Sequence, residues 1–501
     1  MFVHTATFLG LQFETVVVEA DIAAGLPNFI IVGLPGTAVR EAKDRVRSGL
    51  KRSGFSFPRT RVTVNLAPAS ARKEGSYFDL PVALAILQAA GEIVNASTRD
   101  FFFGEVGLDG TLRAVAGALP LVIYAQRQGF TRCFLPAGNI HEVSMVQEMT
   151  FVPVHTLRET CDVLAERMPP PAVPPAPSTL SARTTFDMKD IHGQQHAKRA
   201  CEIAAAGGHN LAMIGSPGSG KTLLARTMPS LLPPLTNEEM LETGQIHSIA
   251  GLLRTEEGLS RTPPFRSPHH SSSAVALIGG GSQILPGEIS LAHHGILFLD
   301  ELLEFSPHAL NQLREPLEEG CVRISRAVGT AMFPAQFLLV AAMNPCPCGF
   351  AMDETRECRC SEQVIERYEQ RLSGPLIDRI DMIVHVPRIR ATELSAVGDG
   401  EPSAAIRARV KHARERQRKR FRNESYTLNK HISHREMRTY CALSTEDEAF
   451  FAENAEQLKL TARRMFSLLK VARTIADLAG SHAITREHCA EALSFLPPHT
   501  S

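Results

Sequence analysis

Apolar positions fall in short runs separated by polar, turn-rich connections, and their spacing changes along the chain. Val16-Val17-Val18-Glu19-Ala20 and Asn28-Phe29-Ile30-Ile31-Val32-Gly33 read as strands, and Arg61-Val62-Thr63-Val64-Asn65-Leu66 alternates with the period of two that buries one face of a strand. Ala38 to Ser53 has helical spacing and dense charge, with Arg40, Glu41, Lys43, Asp44, Arg45 and Arg47. Asp79 to Ala90 is an apolar helix that opens on Asp79-Leu80-Pro81, an N-cap followed by an early proline. Strands mixed with helices make residues 1–167 an α/β or α+β unit. Residues 168–185 start with Met168-Pro169-Pro170-Pro171 and read as a semi-rigid, extended, proline-rich linker. Within residues 186–394, a helix from Gln195 to Ala206 ends at Gly207-Gly208. Asn210–Ile214, Gly295–Leu299 and Phe337–Met343 are apolar runs of buried-strand character. Residues 395–501 read as helical, with an apolar-periodic helix from Phe466 to Leu478 and a last helix from near Thr485 to Phe495.

Composition narrows the class. A chain of 501 residues suggests about three domains. The 53 basic residues are balanced by 53 acidic ones, which argues against a surface coated everywhere by nucleic acid and leaves local basic patches open. No run of 18 apolar residues exists, so no membrane span is expected. Met1-Phe2-Val3-His4-Thr5 lacks a basic leader and a signal-peptide core, and the chain is expected to be cytoplasmic. In that setting the ten cysteines are thiols or metal ligands rather than disulfides.

The chemistry centres on Gly215-Ser216-Pro217-Gly218-Ser219-Gly220-Lys221-Thr222, which has the G-x-x-x-x-G-K-T spacing of a phosphate-binding loop. It lies between the strand Asn210–Ile214 and a helix start, the context the motif needs. Glycines let successive N–H groups turn inward around an anion, and the helix N-terminus adds partial positive charge. Lys221 is positioned to reach the β- and γ-phosphates of ATP, and the Thr222 hydroxyl to hold Mg²⁺. Downstream, Gly295–Leu299 ends in Asp300-Glu301. An acidic pair at the end of a strand beyond a phosphate loop supplies what phosphoryl transfer requires: Asp300 to order Mg²⁺ and Glu301 to polarise the attacking water.

Other patterns leave alternatives open. Cys346-Pro347-Cys348 and Cys358-Arg359-Cys360 make either a closed four-thiolate Zn²⁺ site or a set of reduced thiols. Cys321-Val322-Arg323-Ile324-Ser325-Arg326 alternates and is expected to pair with Phe333 to Val340, as an ordinary edge hairpin or as a loop presenting Arg323 and Arg326 to DNA or a pore. Arg407, Arg409, Lys411, Arg414, Arg416, Arg418, Lys419, Arg420 and Arg422 are interrupted by the single acid Glu415, and form a solvated helix face or a phosphate-tracking surface.

Two resemblances rest on these residues. Lys73-Glu74-Gly75-Ser76-Tyr77-Phe78-Asp79, Phe103-Gly104-Glu105-Val106-Gly107-Leu108-Asp109-Gly110-Thr111 and Leu135-Pro136-Ala137-Gly138-Asn139 are similar to the proteolytic domain of Lon proteases. The Ser–Lys dyad of that domain falls on Tyr77 and Leu119, which cannot supply nucleophile and base, so the fold is expected without the protease. Gly33-Leu34-Pro35, Asn65-Leu66-Ala67-Pro68, Arg266-Ser267-Pro268-His269-His270, Pro286–His293, Asn344–Gly349 and Val471–Leu478 resemble the YifB/ComM family of magnesium-chelatase-like AAA+ ATPases along nearly the whole chain. That resemblance implies a P-loop AAA+ core with a parallel sheet, a C-terminal helical lid and an N-terminal α+β domain like that of Lon or domain 2 of ribosomal protein S5. It implies Asn344 as the γ-phosphate sensor, Arg379 (with Arg371 second) as a finger reaching a neighbour's nucleotide, and Arg463 as the lid sensor. An ion pair of Arg379 with Asp378 or Asp381 is the plainer alternative. Where the family carries a further arginine after the lid sensor, this chain has Ser467. The family includes a hexameric helicase that drives DNA branch migration in natural transformation. The expected activity is therefore a ring-forming DNA motor, or alternatively a chelatase-type ATPase that remodels a protein partner.

Overall fold

The computed structural model describes residues 2–92, 97–174, 186–253, 258–281, 283–326, 329–353, 355–371, 374–388 and 400–496. Most of the proline-rich stretch, the boundary near residue 394 and residues 327 and 328 lie outside the described residues.

The N-terminal strands are Val3–Leu9 (β1), Gln12–Ala23 (β2), Asn28–Val32 (β3), Arg61–Ala67 (β4), Asp100–Phe102 (β5), Glu105–Val106 (β6), Leu112–Arg113 (β7), Arg132–Pro136 (β8) and Thr150–Val154 (β9). Seven of them form one mixed sheet in the order β3-β4-β2-β1-β5-β8-β9, with β1–β2 and β2–β4 antiparallel and the other pairings parallel. In β4, Val62, Val64 and Leu66 face the core, as the alternation requires. The helix Asp79–Ala89 differs from its expected start. Its N-cap is Phe78, and Asp79 is the first helical residue. The Asp79 carboxylate is buried and takes two bonds from Arg45, at 2.6 and 2.9 Å, and one from the Val106 amide. A buried carboxylate must be paired, and that demand, rather than capping, fixes its place.

The second sheet is built from Leu211–Ile214 (β10), Phe265–Arg266 (β11), Ile296–Leu299 (β14), Leu338–Met343 (β17) and Met382–His385 (β18), ordered β11-β14-β17-β10-β18 with every pairing parallel. Gly279–Gly280 (β12) pairs with Leu285–Pro286 (β13), and Cys321–Arg326 (β15) pairs with Gly329–Pro334 (β16). The β15 partner is thus nearer in sequence than expected, because Leu338–Met343 is drawn into the buried sheet. Successive strand residues divide between the two faces. Leu211, Met213, Phe298, Val340 and Ala342 share one core with the helices Gln195–Gly207, Ser403–Arg420 and Ala462–Leu478. Ala212, Leu297, Leu299, Leu339 and Ala341 pack on the other side with Leu302, Leu310, Val322 and Phe333. Helices on both faces of a parallel sheet explain why these strands read as continuous apolar runs.

The two sheets are joined through the helix Asn237–Ile249, whose Met240 belongs to the N-terminal core. Leu119 is fully buried there, and a Cβ on Gly244 would lie 3.0 Å from its Cδ2. The Gly117 amide donates to the Ser248 carbonyl at 3.0 Å, and buried Glu142 accepts from the Leu119 amide at 2.9 Å and from the Ser248 hydroxyl. Leu119→Ala is expected to lower unfolding free energy by about 2–5 kcal/mol, as buried leucine truncations do, measured by urea denaturation. An unchanged transition would show that this contact does not hold the domains together.

Candidate functional site

Parallel strands place their carboxyl ends on one edge, which is where such sheets bind ligands. Ile214 pairs with Met343 and His385, and Leu299 with Ala341, so Gly215, Asn344, Asp300 and the segment after His385 all emerge on that edge. The phosphate loop runs from Gly215 to Gly220, which caps the helix Lys221–Thr227. Gly218 and Gly220 have φ of 78° and 96°, and nothing lies within 4 Å of a Cβ built on either. Glycine is needed there for conformation, and the space left open is that of a cradle. The buried Ser219 hydroxyl has no hydrogen-bond partner among the described residues. These features fit a polyphosphate.

The charged residues converge on the same edge. Thr222 Oγ1 donates to Asp300 Oδ2 at 2.8 Å, so the two groups suited to a Mg²⁺ ion and its water already meet. Lys221 Nζ donates to the carbonyls of Gly215 at 2.6 Å and Ser216 at 3.0 Å, and to Asn344 Oδ1 at 3.3 Å. Burial lowers the Lys221 pKa, against the pull of Asp300 and Glu301. Glu301 has φ of 51°, a left-handed conformation that costs a non-glycine residue on the order of 1–3 kcal/mol. Its Oε2 lies 3.1 Å from Nδ1 of His270, in the paired-histidine loop. That loop stands out in the sequence, whereas its partner is visible only in the fold. Gln194, just before the helix Gln195–Gly207, donates to the Ser219 carbonyl at 3.3 Å and ties that segment to the phosphate loop.

The four clustered cysteines come together directly beyond Asn344. Cys346 Sγ lies 3.3 Å from Cys348 Sγ and 3.7 Å from Cys358 Sγ, and Cys348 and Cys358 are 3.6 Å apart. Cys360 joins them, with all four sulfurs within 4.8 Å of one another. Four sulfurs about 2.3 Å from a tetrahedral Zn²⁺ stand about 3.8 Å apart, so the donor set and its spacing fit that ion. Glu242, His293 and His294 form another close group. There the Gln336 amide donates to His293 Nδ1 at 3.0 Å, which leaves the ring proton on Nε2, facing Glu242 at 3.2 Å. A protonated Nε2 is no ligand, and the trio is a hydrogen-bonded contact.

Two of the expected site residues lie elsewhere. Asn210, Asp381 and Ile380 mark the amino ends of β10 and β18, with the Asp381 amide bonded to the Asn210 carbonyl. Arg379 sits at that edge, and Arg464 donates to the Ile380 carbonyl, which places Arg463 there too. Five residue steps along β10 at about 3.3 Å put this edge roughly 16 Å from the phosphate loop. Both arginines meet the one carboxylate of Glu318, Arg463 at 3.2 Å. The sequence offers Asp378 and Asp381 as partners of Arg379. Asp381 is instead engaged by the Asn210 amide at 2.9 Å and the Ser467 hydroxyl at 2.5 Å. Glu318 escapes sequence reading because nothing local marks it. Arg371 lies 3.6 Å from Glu304 and packs over Tyr368.

Four cations of the basic run that begins on Ser403–Arg420 are committed inside the chain, while Arg407, Lys411, Arg418, Lys419 and Arg422 are exposed. Arg409 pairs with Glu202 and Glu401, Arg414 donates to the Ala205 carbonyl, Arg416 to that of Gly480, and Arg420 pairs with Asp477. These contacts anchor the helix, and its remaining cations face solvent. Arg323 and Arg326 on β15 are also exposed, and Arg326 reaches the β12–β13 hairpin, where a Cβ on Gly280 would lie 3.1 Å from its Nη2. At the positions of the Lon dyad, Tyr77 is buried and stacked on Phe8 and Phe78, with burial raising its phenol pKa, and Leu119 is sealed against the helix Asn237–Ile249.

Three family models match the chain: magnesium chelatase, subunit ChlI, over residues 187–394; subunit ChlI of Mg-chelatase over 18–139; and the ChlI C-terminal region over 400–496. The chain is 43% identical to YifB of Salmonella typhimurium and 43% identical to competence protein ComM of Haemophilus influenzae, in each case over 98% of this chain and 96% of the relative. It is 29% identical to the magnesium-chelatase 67 kDa subunit of Heliobacterium mobile over 38% of this chain and 33% of that one. Among the described residues no helix is long and apolar enough to cross a membrane.

Proposed function

Because the chain belongs to the YifB/ComM family of magnesium-chelatase-like AAA+ ATPases, we propose that it is the ATP-hydrolysing subunit of a homo-oligomeric ring, a hexamer in the favoured reading, that moves DNA as a branch-migration helicase. The observation that carries the ATPase chemistry is the convergence of Thr222, Asp300, Lys221 and Asn344 at the mouth of the phosphate loop. The loop amides and Lys221 bind the phosphates, and Lys221 leaves its carbonyl partners to do so. Thr222 and Asp300 hold Mg²⁺, which when bound neutralises charge developing on the phosphoryl oxygens. Glu301 orients the attacking water, and Asn344 marks the γ-phosphate. Arg379 and Arg463 stand at the far edge of their own sheet, so they serve a neighbour's nucleotide once they part from Glu318. Zn²⁺ on Cys346, Cys348, Cys358 and Cys360 is structural, since four thiolates leave no open position. A cytoplasmic location goes with this reading.

The exposed Arg323 and Arg326 beside the β12–β13 hairpin favour DNA as the cargo. Single-stranded or branched DNA is expected to stimulate hydrolysis by the whole chain. Arg323→Ala and Arg326→Ala are expected to remove that stimulation while sparing basal turnover. Each lost phosphate contact reduces the salt slope of DNA binding by about one. Hydrolysis indifferent to every DNA structure, with no salt-sensitive binding, would overturn the DNA reading. The chelatase-type alternative, a ring acting on a protein partner, is favoured by the internal use of Arg409, Arg414, Arg416 and Arg420. It predicts stimulation by a protein and not by DNA.

A further inference from the structure

We propose that the four-cysteine cluster is a metal-dependent clamp on the phosphate loop, so that zinc occupancy sets nucleotide affinity and bound nucleotide tightens zinc in return. This rests on the reading of Gly215–Thr222 as the nucleotide site and of the cysteines as a metal site. Three features put the two in mechanical contact. β17 ends at Met343, the next residue, Asn344, accepts from Lys221, and two residues later Cys346 is buried as the first of the four sulfurs. Gly349, with φ of 85°, closes the turn after Cys348 directly on the phosphate loop: a Cβ built there would fall 2.6 Å from Cδ of Pro217. Between the two cysteine pairs, Asp353 binds the Thr355 hydroxyl at 2.6 Å and amide at 2.8 Å, and also interacts with the Ser216 side chain.

Among the described residues from 345 to 360 there is no helix or strand. A segment of this kind has no ladder of backbone bonds to hold it. Thiol contacts at 3.3–3.7 Å are weak. The metal is therefore what presses Gly349 onto Pro217 and fixes Asn344 beside Lys221. Without it the rear wall of the phosphate loop loosens. Two sites coupled in this way share one coupling free energy, and each must change the other's affinity by the same factor.

The test uses the full chain. Zinc is counted by elemental analysis, and nucleotide affinity is read with a fluorescent ATP analogue before and after stripping with an organomercurial and a chelator, followed by thiol rescue. One zinc per chain is expected. The stripped chain, with its circular dichroism unchanged, is expected to bind nucleotide about tenfold more weakly, within the usual range for coupled sites, and added zinc to restore it. In a chelator competition, a slowly hydrolysed ATP analogue is expected to raise zinc affinity by the same factor. Thiols without metal, or nucleotide affinity indifferent to the metal, would overturn the clamp. If stripping unfolds the chain, Gly349→Ala keeps all four thiols and forces a methyl into Pro217. It is expected to weaken nucleotide binding at unchanged zinc content, and unaltered nucleotide affinity would overturn the clamp. A zinc-loaded chain that binds no nucleotide overturns the nucleotide reading, and the clamp with it, whereas metal-indifferent nucleotide binding overturns the clamp alone.

Discussion

Glu301→Gln is expected to bind nucleotide as the unaltered chain does and to hydrolyse it about a hundred- to ten-thousand-fold more slowly, the usual worth of a positioned general base. Thr222, Asp300 and Lys221, the groups proposed to hold the metal and the phosphates, are untouched by this change. Glutamine matches glutamate in shape, so the left-handed backbone at this position is strained to the same degree in both chains. What is lost is the carboxylate charge that draws a proton from water and that faces His270 at 3.1 Å. A fluorescent ATP analogue reads the binding, and single-turnover hydrolysis reads the chemistry. Turnover close to that of the unaltered chain would remove Glu301 from its role. A parallel loss of binding would make it a structural residue.

Arg379→Ala is expected to lower turnover by about a thousand- to a hundred-thousand-fold, as removal of an arginine finger does, without weakening nucleotide binding by the separate subunit. The geometry makes this a test of assembly. Arg379 and the phosphate loop lie at opposite edges of one sheet, so the proposed site needs the Arg379 of a neighbouring copy. An Arg379→Ala subunit keeps its phosphate loop, and a Lys221→Ala subunit keeps its arginine. Each is expected to be inactive alone, and activity is expected to return when they are mixed, at interfaces that combine the intact half of each. Arg463→Ala, which shares the Glu318 partner, is expected to behave in the same way. If mixing restores nothing while mixed rings form, the sites are not shared between subunits.

Much of the ATPase machinery is legible along the chain because it depends on local geometry. The glycine spacing of Gly215–Gly220, the apolar run before it and the acids after Leu299 are contiguous patterns, and each folds as its spacing requires. The cysteines are legible for the same reason, since two C-x-C turns bring paired sulfurs close before any tertiary contact. Sequence reasoning goes astray where long-range demands override a local preference. Asp79 has the composition of a cap and is taken by Arg45. The basic helix has the composition of an anion-binding face, yet Arg409, Arg414, Arg416 and Arg420 are spent on Glu202, Glu401, Asp477 and backbone carbonyls.

The sequence by itself therefore determined a phosphate-loop pattern at Gly215–Thr222, the acids Asp300 and Glu301 that accompany it, and that Tyr77 and Leu119 cannot form a protease dyad. These follow from residue type and spacing within a few positions. The tertiary structure decided which residues face one another across the fold: Thr222 with Asp300, Glu301 with His270, Gly349 against Pro217, Leu119 under Gly244, and Arg379 and Arg463 on Glu318 at the far edge. Those pairings depend on the parallel register of β10, β14, β17 and β18, set by burial of both sheet faces. That register places the arginines at the edge opposite their own chain's phosphate loop.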